Sequence, residues 1–337
     1  MTTAPRSLVA PVSARNWTET DDHRHPTLRL RMRTVRAVEE LRSALAPARR
    51  EGRRIGLVPT MGALHEGHAS LIRRARRECD VVVVSLFVNP AQFDEHSDLE
   101  RYPRDERRDG ELASQAGADI LFAPTVEEMY PAGFATSVEV LGLTERLEGV
   151  SRGAEHFRGV STVVTKLLGM TQPDVAYFGQ KDAQQLVVIR RLVADLNLPV
   201  RVQACPTVRE RDGLAMSSRN ARLGAAERSQ AVALSEGLRA AAQRAAEGEC
   251  SPEALLDVAC AAMLAREVQP EYLELVDPET LQPCEVLTRE ALLVVAARVG
   301  DTRLIDNAIL RPSAASTEAP QKSGNPHDER LPRKAIA

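Results

Sequence analysis

The 337-residue sequence predicts an α/β protein, a doubly wound parallel sheet with helices on both faces, followed by a second, smaller C-terminal α/β domain. Three observations predict it. Between about residues 32 and 207, short apolar runs alternate with amphipathic stretches, the rhythm of right-handed βαβ units. Runs such as VVVVSLFV lack polar alternation, as strands covered on both faces require. After Thr207 the rhythm gives way to two helices and three strand-like segments.

The elements follow in order. Residues 35–49 carry apolar side chains at helical spacing, and RRIGLVPT then reads as a buried strand ending in a turn. HASLIRRARREC is an amphipathic helix before the strand VVVVSLFV. A helix over 106–116, a strand ADILFAP, a helix STVVTKLLGM, a strand DVAYFG, a helix over 183–195 and a strand PVRVQAC complete the first domain, 32–207. The loop RERDGLAMSSRN opens a second domain, 208–311. It contains an Ala-rich helix from about Ala225, a helix capped by Ser251, and the strand-like YLELV, ALLVVAAR and TRLIDN. Residues 1–31, which hold the only tryptophan, Trp17, and residues 312–337 show neither hydrophobic period and read as disordered tails.

Composition excludes several classes of function. The 44 basic and 47 acidic side chains are interspersed and leave a formal net charge of -3, so no summed field favours nucleic acid or an anionic membrane. The most apolar stretch, residues 81–88, is far shorter than the ~20 residues a membrane helix needs, and no apolar signal core follows the start. The five cysteines are scattered without a C-x-x-C, which argues against a disulfide framework or a zinc site and for a reducing, cytoplasmic location.

In an open parallel sheet ligands bind beyond the carboxyl ends of the strands, and four polar loops are expected there. PTMGALHEGH places His65 and His68 three residues apart at a helix start, able to face the same way beside backbone amides that suit a phosphate chain. The alternative is that these are surface or capping histidines. The spacing is not that of the H-E-x-x-H zinc helix, and neither a Walker loop nor G-x-G-x-x-G is present. FVNPAQF supplies the neutral amides Asn89 and Gln92, and FGQKDAQQ supplies Lys181 with Gln185 one helical turn on. GLAMSSRN offers Ser217, Ser218 and Arg219, groups that grip phosphate oxygens or, alternatively, cap a turn.

In this order and spacing, the four loops resemble the pantothenate synthetase (pantoate–β-alanine ligase) family of the nucleotidyltransferase group, whose HIGH and KMSKS signatures correspond in style to HEGH and MSSR. The resemblance spans residues 32–311. It implies a Rossmann-like first domain, a small C-terminal lid domain and a homodimer. It also implies condensation of pantoate with β-alanine at the expense of ATP and Mg²⁺, through a pantoyl-adenylate. Met61, Gly62, Ala63, Leu64, His65, Glu66, Gly67 and His68 are then expected to bind ATP, with His68 acid-like in catalysis alongside His65 and Lys181. Gly179, Gln180, Lys181, Asp182, Val208, Met216, Ser217, Ser218 and Arg219 are expected at ATP too. Gln92, Gln185 and Asn89 are assigned to pantoate or β-alanine, and Asp109 to Mg²⁺. One segment departs from the family pattern: RGAEHFRG, residues 152–159, lacks a proline and is one residue longer than the R-P-G-H-F-R-G it replaces. Two rival readings are a related nucleotidyltransferase that passes AMP to a phosphorylated acceptor, and an inactive nucleotide-binding module. Paired amides favour a carboxylate over a phosphorylated acceptor, and an intact HEGH with Lys181 argues against inactivity.

Overall fold

The computed structural model describes residues 32–93 and 96–313, with residues 96–98 by backbone alone. The tail expectations for residues 1–31, Trp17 included, and for 314–337 lie outside the described residues.

Six strands form one sheet: β1 (Arg33–Val35), β2 (Ile55–Thr60), β3 (Val81–Leu86), β4 (Ile120–Phe122), β5 (Val175–Gly179) and β6 (Arg201–Cys205). Their order is β1-β4-β3-β2-β5-β6, and every pairing is parallel. The helices of this half are α1 (Val38–Arg50), α2 (Glu66–Glu78), α3 (His96–Arg101), α4 (Glu106–Ala116), α5 (Val126–Met129), α6 (Glu148–Thr171) and α7 (Ala183–Asp195). Successive strand residues point to opposite faces, so each strand needs apolar side chains at every position. Leu57 and Val83 pack with Leu41 of α1, Val164 of α6 and Ile189 of α7. Their neighbours Val58, Val82 and Val84 pack on the other face with Ile72 of α2 and Ala113 of α4.

After β6 come α8 (Ala225–Ala231), α9 (Ala233–Ala246) and α10 (Pro252–Leu264), then an antiparallel sheet of β7 (Pro270–Val276), β8 (Ala291–Val299) and β9 (Thr302–Leu310) in that order. This sheet is also buried on both faces, which explains the unbroken apolar run ALLVVAAR. Leu293 and Val295 pack under Leu234, Leu238, Leu255 and Met263 of α9 and α10. Leu292 and Val294 pack with Val276 against Val187, Val188 and Leu192 of α7. The first sheet's outermost helix therefore shares a core with the second sheet.

Most predicted elements recur at nearly the predicted bounds, α4 and α7 at both ends. Ser251 caps α10, its side chain accepting the Ala254 amide. Three differences have physical causes. The Ala-rich stretch is two helices that meet at Val232. The segments β1, α3 and α5, of three, six and four residues, are too short to show a hydrophobic period. The helix predicted over STVVTKLLGM begins 13 residues earlier, at Glu148, because the RGAEHFRG segment is itself helical either side of a break at Gly153 (φ 77°).

That helical segment passes very close to the turn that carries Gln92. A Cβ at Gly159 would lie 2.1 Å from the Ala91 carbonyl oxygen and 2.8 Å from the Gln92 nitrogen, so only glycine allows the approach. Gly159→Ala is expected to cost about 1–3 kcal/mol in urea unfolding, the scale of overpacking a close contact. An unchanged unfolding midpoint would mean that the two backbones part without loss.

Candidate active site

The chain runs from β2 to β3 on one side of the sheet and from β5 to β6 on the other, so the strand order reverses between the adjacent strands β2 and β5. Loops leaving the carboxyl ends of two such strands diverge and leave a crevice. A cavity of about 280 Å³ lies there, and all four loops contribute to its wall.

The loop after β2 enters α2 through His65, the N-cap. Its Nδ1 accepts the Gly67 amide at 3.1 Å, and the His65 amide donates to Nδ1 of His68 at 3.3 Å. With both Nδ1 atoms accepting, each ring carries its proton on Nε2. The ring centroids are 4.2 Å apart. Gly67 is required: a Cβ there would lie 2.8 Å from the His65 ring. His65 therefore caps the helix, and both histidines line the cavity. Burial, reinforced by the neighbouring His65, pushes the His68 imidazole down to about 3. Burial and then the Lys181 charge lower His65 as well. Both are neutral hydrogen-bond donors near pH 7. A neutral His68 with Nδ1 engaged offers its Nε2–H as a donor.

From the other side of the switch point, Lys181 follows β5 with its ammonium 3.5 Å from Asp182 and its side chain 18% exposed. Gln185, on the first turn of α7, is half-buried and reaches the same cavity. Gln92 lies opposite. Its Nε2 is 2.8 Å from the Met61 sulfur, and its Oε1 accepts from Asn89 at 3.0 Å. Met61, Gly67, Gly179, Asp182, Val208, Met216, Ser217, Ser218 and Arg219 also line the wall. The Ser217 side chain accepts the Arg219 amide, so it caps its own turn as well.

Several expected residues lie elsewhere. Gly62, Ala63, Leu64 and Gln180 belong to the loops' backbone and are not in the cavity wall, and Glu66 turns outward to pair with Arg73. Asn89 is 1% exposed and fully engaged: its amide donates to Gln92 and to the Gly159 carbonyl, and its oxygen accepts from Tyr130 and the Ala91 amide. It braces Gln92 and is not in the cavity wall. Asp109 needs the same correction. Buried at 2% exposure and absent from the cavity wall, it accepts the Ala63 amide at 2.9 Å and the Leu64 amide at 2.7 Å, so its carboxylate holds the His65 loop from behind.

Sequence reasoning left Arg152 and His156 without roles and missed Glu148, Tyr272, Asp306 and Asn307, all of which line the cavity. His156 Nδ1 is 2.7 Å from the Gln92 carbonyl oxygen, and burial pushes its imidazole down to about 4. Glu148 is pinched between two arginines. Arg303 of β9 donates to both its oxygens at 2.7 and 2.8 Å, Arg152 donates at 2.9 Å, and the Tyr272 hydroxyl donates at 2.9 Å. Burial alone would raise this carboxyl, but the Arg303 hydrogen bonds and charge outweigh it and hold it at about 2. The one available sequence signal is the polar pair Asp-Asn between the apolar residues of LIDNAIL in β9.

With this geometry in place, comparison with known proteins is specific. A family model described as pantoate-beta-alanine ligase matches residues 33–309. A pantothenate synthetase of Cereibacter sphaeroides (strain ATCC 17029 / ATH 2.4.9) is 52% identical over 273 residues, 81% of this chain and 98% of that protein. Pantothenate synthetase 1 of Bradyrhizobium diazoefficiens is 54% identical over 280 residues, 83% of this chain and 98% of its own. The crystal structure of pantothenate synthetase from Thermus thermophilus superposes with a TM-score of 0.79 at 49% identity, covering 83% of this chain and all (100%) of that one. A pantoate-beta-alanine ligase from Francisella tularensis, crystallised with beta-gamma ATP and beta-alanine, superposes with a TM-score of 0.69 at 33% identity, covering 82% and 97%.

The depressed histidines set an acid limit on stability. The unfolded chain protonates its histidines near pH 6.5, whereas folded His156 and His68 resist until about 4 and about 3. Their contribution is therefore complete above pH 6.5 and is lost as pH falls from there toward 4. Melting temperature should fall steadily across this window. His156→Gln, which keeps a polar side chain and removes the titration, should flatten the slope between pH 6.5 and 4. An unaltered slope would show that His156 is protonated in the fold.

Proposed function

The chain belongs to the pantoate–β-alanine ligase family, and we propose that its cavity joins pantoate to β-alanine in two steps, through a pantoyl-adenylate made from ATP. As a member of that family the protein is an ATP-dependent ligase. The observation that carries the site assignment is the meeting, in one cavity, of two histidines, Lys181 and the Ser217–Arg219 turn with the two neutral amides Gln92 and Gln185. The first set suits a triphosphate and the second a hydroxy acid with its carboxylate. The Francisella relative's ATP analogue and β-alanine support the same choice of substrates.

In the first step the pantoate carboxylate oxygen attacks the α-phosphorus of ATP, and the bond to pyrophosphate breaks. The carboxylate is already ionised at pH 7, so no general base is needed; positioning and charge neutralisation are. Gln92 and Gln185 hold the acid, with Gln92 kept in place by Asn89 and the turn backed by His156. The neutral His65 and His68 donate Nε2–H to phosphoryl oxygens, and Lys181, Ser217, Ser218 and Arg219 neutralise the departing pyrophosphate. In the second step the β-alanine amine, once it has lost its ammonium proton to solvent, attacks the acyl carbon; the acyl C–O bond breaks, AMP leaves with the electron pair, and the remaining excess proton on nitrogen passes to solvent.

Among the described residues, no three His, Cys, Asp or Glu side chains gather into a metal site. That is compatible with Mg²⁺, which is commonly held by one or two carboxylates plus substrate phosphates. Asp182, half-exposed at the cavity, is the residue that would contribute to it. When bound, the ion would offset charge on the phosphate oxygens. The proposal extends to a lid role for residues 208–311, which shields the adenylate from water, and to a cytoplasmic homodimer. The apolar Leu141 and Val150, 74% and 75% exposed, are surface side chains that a second copy could cover.

The enzyme with Mg·ATP and pantoate, but no β-alanine, is expected to exchange labelled pyrophosphate into ATP. His68→Ala and Lys181→Ala should each lower that rate about 100-fold or more, the scale of losing one strong transition-state donor. Gln92→Ala should chiefly weaken pantoate binding. Exchange only when β-alanine is present, with pantothenate still formed, would sink the two-step reading.

A further inference from the structure

We propose that Asp306 and Asn307, adjacent in β9, form a clasp that sets the Lys181 loop and the Ser217–Arg219 loop relative to each other, with Asn307 the positioning residue for Lys181. The catalytic weight given to these loops rests on the ligase reading; the clasp itself rests on geometry.

The Lys181 loop has a backbone problem. The Gln180 amide still reaches β6 by donating to the Cys205 carbonyl at 2.8 Å, but beyond it the chain leaves the sheet, and the Gln180 and Lys181 carbonyls need donors from elsewhere. Asn307 supplies both from one nitrogen: its Nδ2 donates to the Gln180 carbonyl at 2.9 Å and to the Lys181 carbonyl at 2.8 Å. An acceptor could not stand between two carbonyls, so the amide orientation is fixed by its partners. Asn307 is 5% exposed, and its bonds span 126 and 127 residues of sequence. Lys181 therefore takes its backbone position from a strand of the other sheet.

Asp306 does the same for the second loop. Neighbouring strand residues point to opposite faces, so its side chain leaves β9 on the other side from that of Asn307. Its two oxygens accept from Arg209 at 2.6 and 3.0 Å, a fork-to-fork pair in which the Asp306 side chain is 2% exposed. Arg209 lies at the stem of the Ser217–Arg219 loop. It bridges Ala215 across the antiparallel stem and donates to the Gly213 carbonyl at 3.1 Å. The Asn307 amide donates to Asp306 Oδ1 at 2.8 Å, which joins the two halves of the clasp. Two groups proposed to neutralise one triphosphate are thus spaced by consecutive residues of a single strand.

The test is a double-mutant cycle on the full chain. Asn307→Ala is expected to lower pyrophosphate exchange about 10- to 100-fold, the scale of a misplaced catalytic group, while pantoate affinity stays within about twofold. In a Lys181→Ala background the same change should cost less than about twofold, because its effect passes through Lys181. Native-state hydrogen exchange should quicken in residues 179–186. Asp306→Asn should quicken it in 209–216 instead. If Asn307→Ala does not fold, Asn307→Ser, which keeps one donor, serves in its place with a smaller loss. Equal losses in both backgrounds, or unchanged exchange in both loops, would overturn the clasp. A wild-type protein that forms no pantothenate would overturn the ligase reading alone, because the hydrogen-exchange arms would still decide the clasp.

Discussion

The parallel pairing of β2 with β5 is the constraint on which the rest of this structure depends. Gly56 and Leu57 register against Val175 and Ala176, and from that seam the chain winds outward in both directions. Right-handed crossovers carry α2 and α7 away from each other, so the carboxyl ends of β2 and β5 open on a crevice that no helix fills. His65 and His68 enter it from one strand and Lys181 from the other, although 113 residues separate His68 from Lys181. No local feature of either loop would place these groups within reach of one ligand.

A crevice of this kind holds a fixed arrangement only if its loops are tied down, and the ties come from buried polar side chains. Asp109 holds the His65 loop by two amides, Asn89 holds Gln92, and Gln184 holds the entry to α6 by accepting the Glu148 amide and donating to the Leu143 and Arg146 carbonyls. Each lies at 5% exposure or less, where an unmade hydrogen bond is costly and a made one fixes geometry. Burial also decides the character of the site itself. Desolvation keeps His65, His68 and His156 neutral, so the positive charge available to an anion is concentrated on Lys181 and the arginines.

The second sheet completes the site and does more than cover it. Its apolar inner face packs on α7, and its polar residues hold the cavity wall: Arg303 and Tyr272 hold Glu148, and Asp306 and Asn307 hold two loops. The Glu148–Arg303 pair joins the two halves in a nearly dry setting, with side-chain exposures of 9% and 14%. Each partner has a second counter-ion, Arg152 beside Glu148 and Glu271 beside Arg303, so the pair is part of a network and neither charge depends on the other alone. Movement of the C-terminal sheet and the geometry of the cavity are therefore linked through the same side chains.

Whatever depends on local chemistry could be read from the sequence alone. Doubly covered strands reveal themselves by lacking polar alternation, helices by their period, and the four loops by polar and glycine-rich residues placed directly after strands, and these sufficed for the fold class and for the four loops that meet at the cavity, though not for Glu148, Tyr272, Asp306 and Asn307 in its wall. Only tertiary structure decided which polar residues line the cavity and which hold the loops. Asn89 and Gln92 stand three apart in one motif, yet Gly159 lets α6 close over Asn89 and turn it into a brace while Gln92 stays at the cavity. Asp109, outside the cavity wall, holds the His65 loop through the Ala63 and Leu64 amides. Asp306 and Asn307 carry no motif, because their partners lie 97 and 126 residues away, and hydrogen bonds across such a distance leave no period or spacing for a sequence to display.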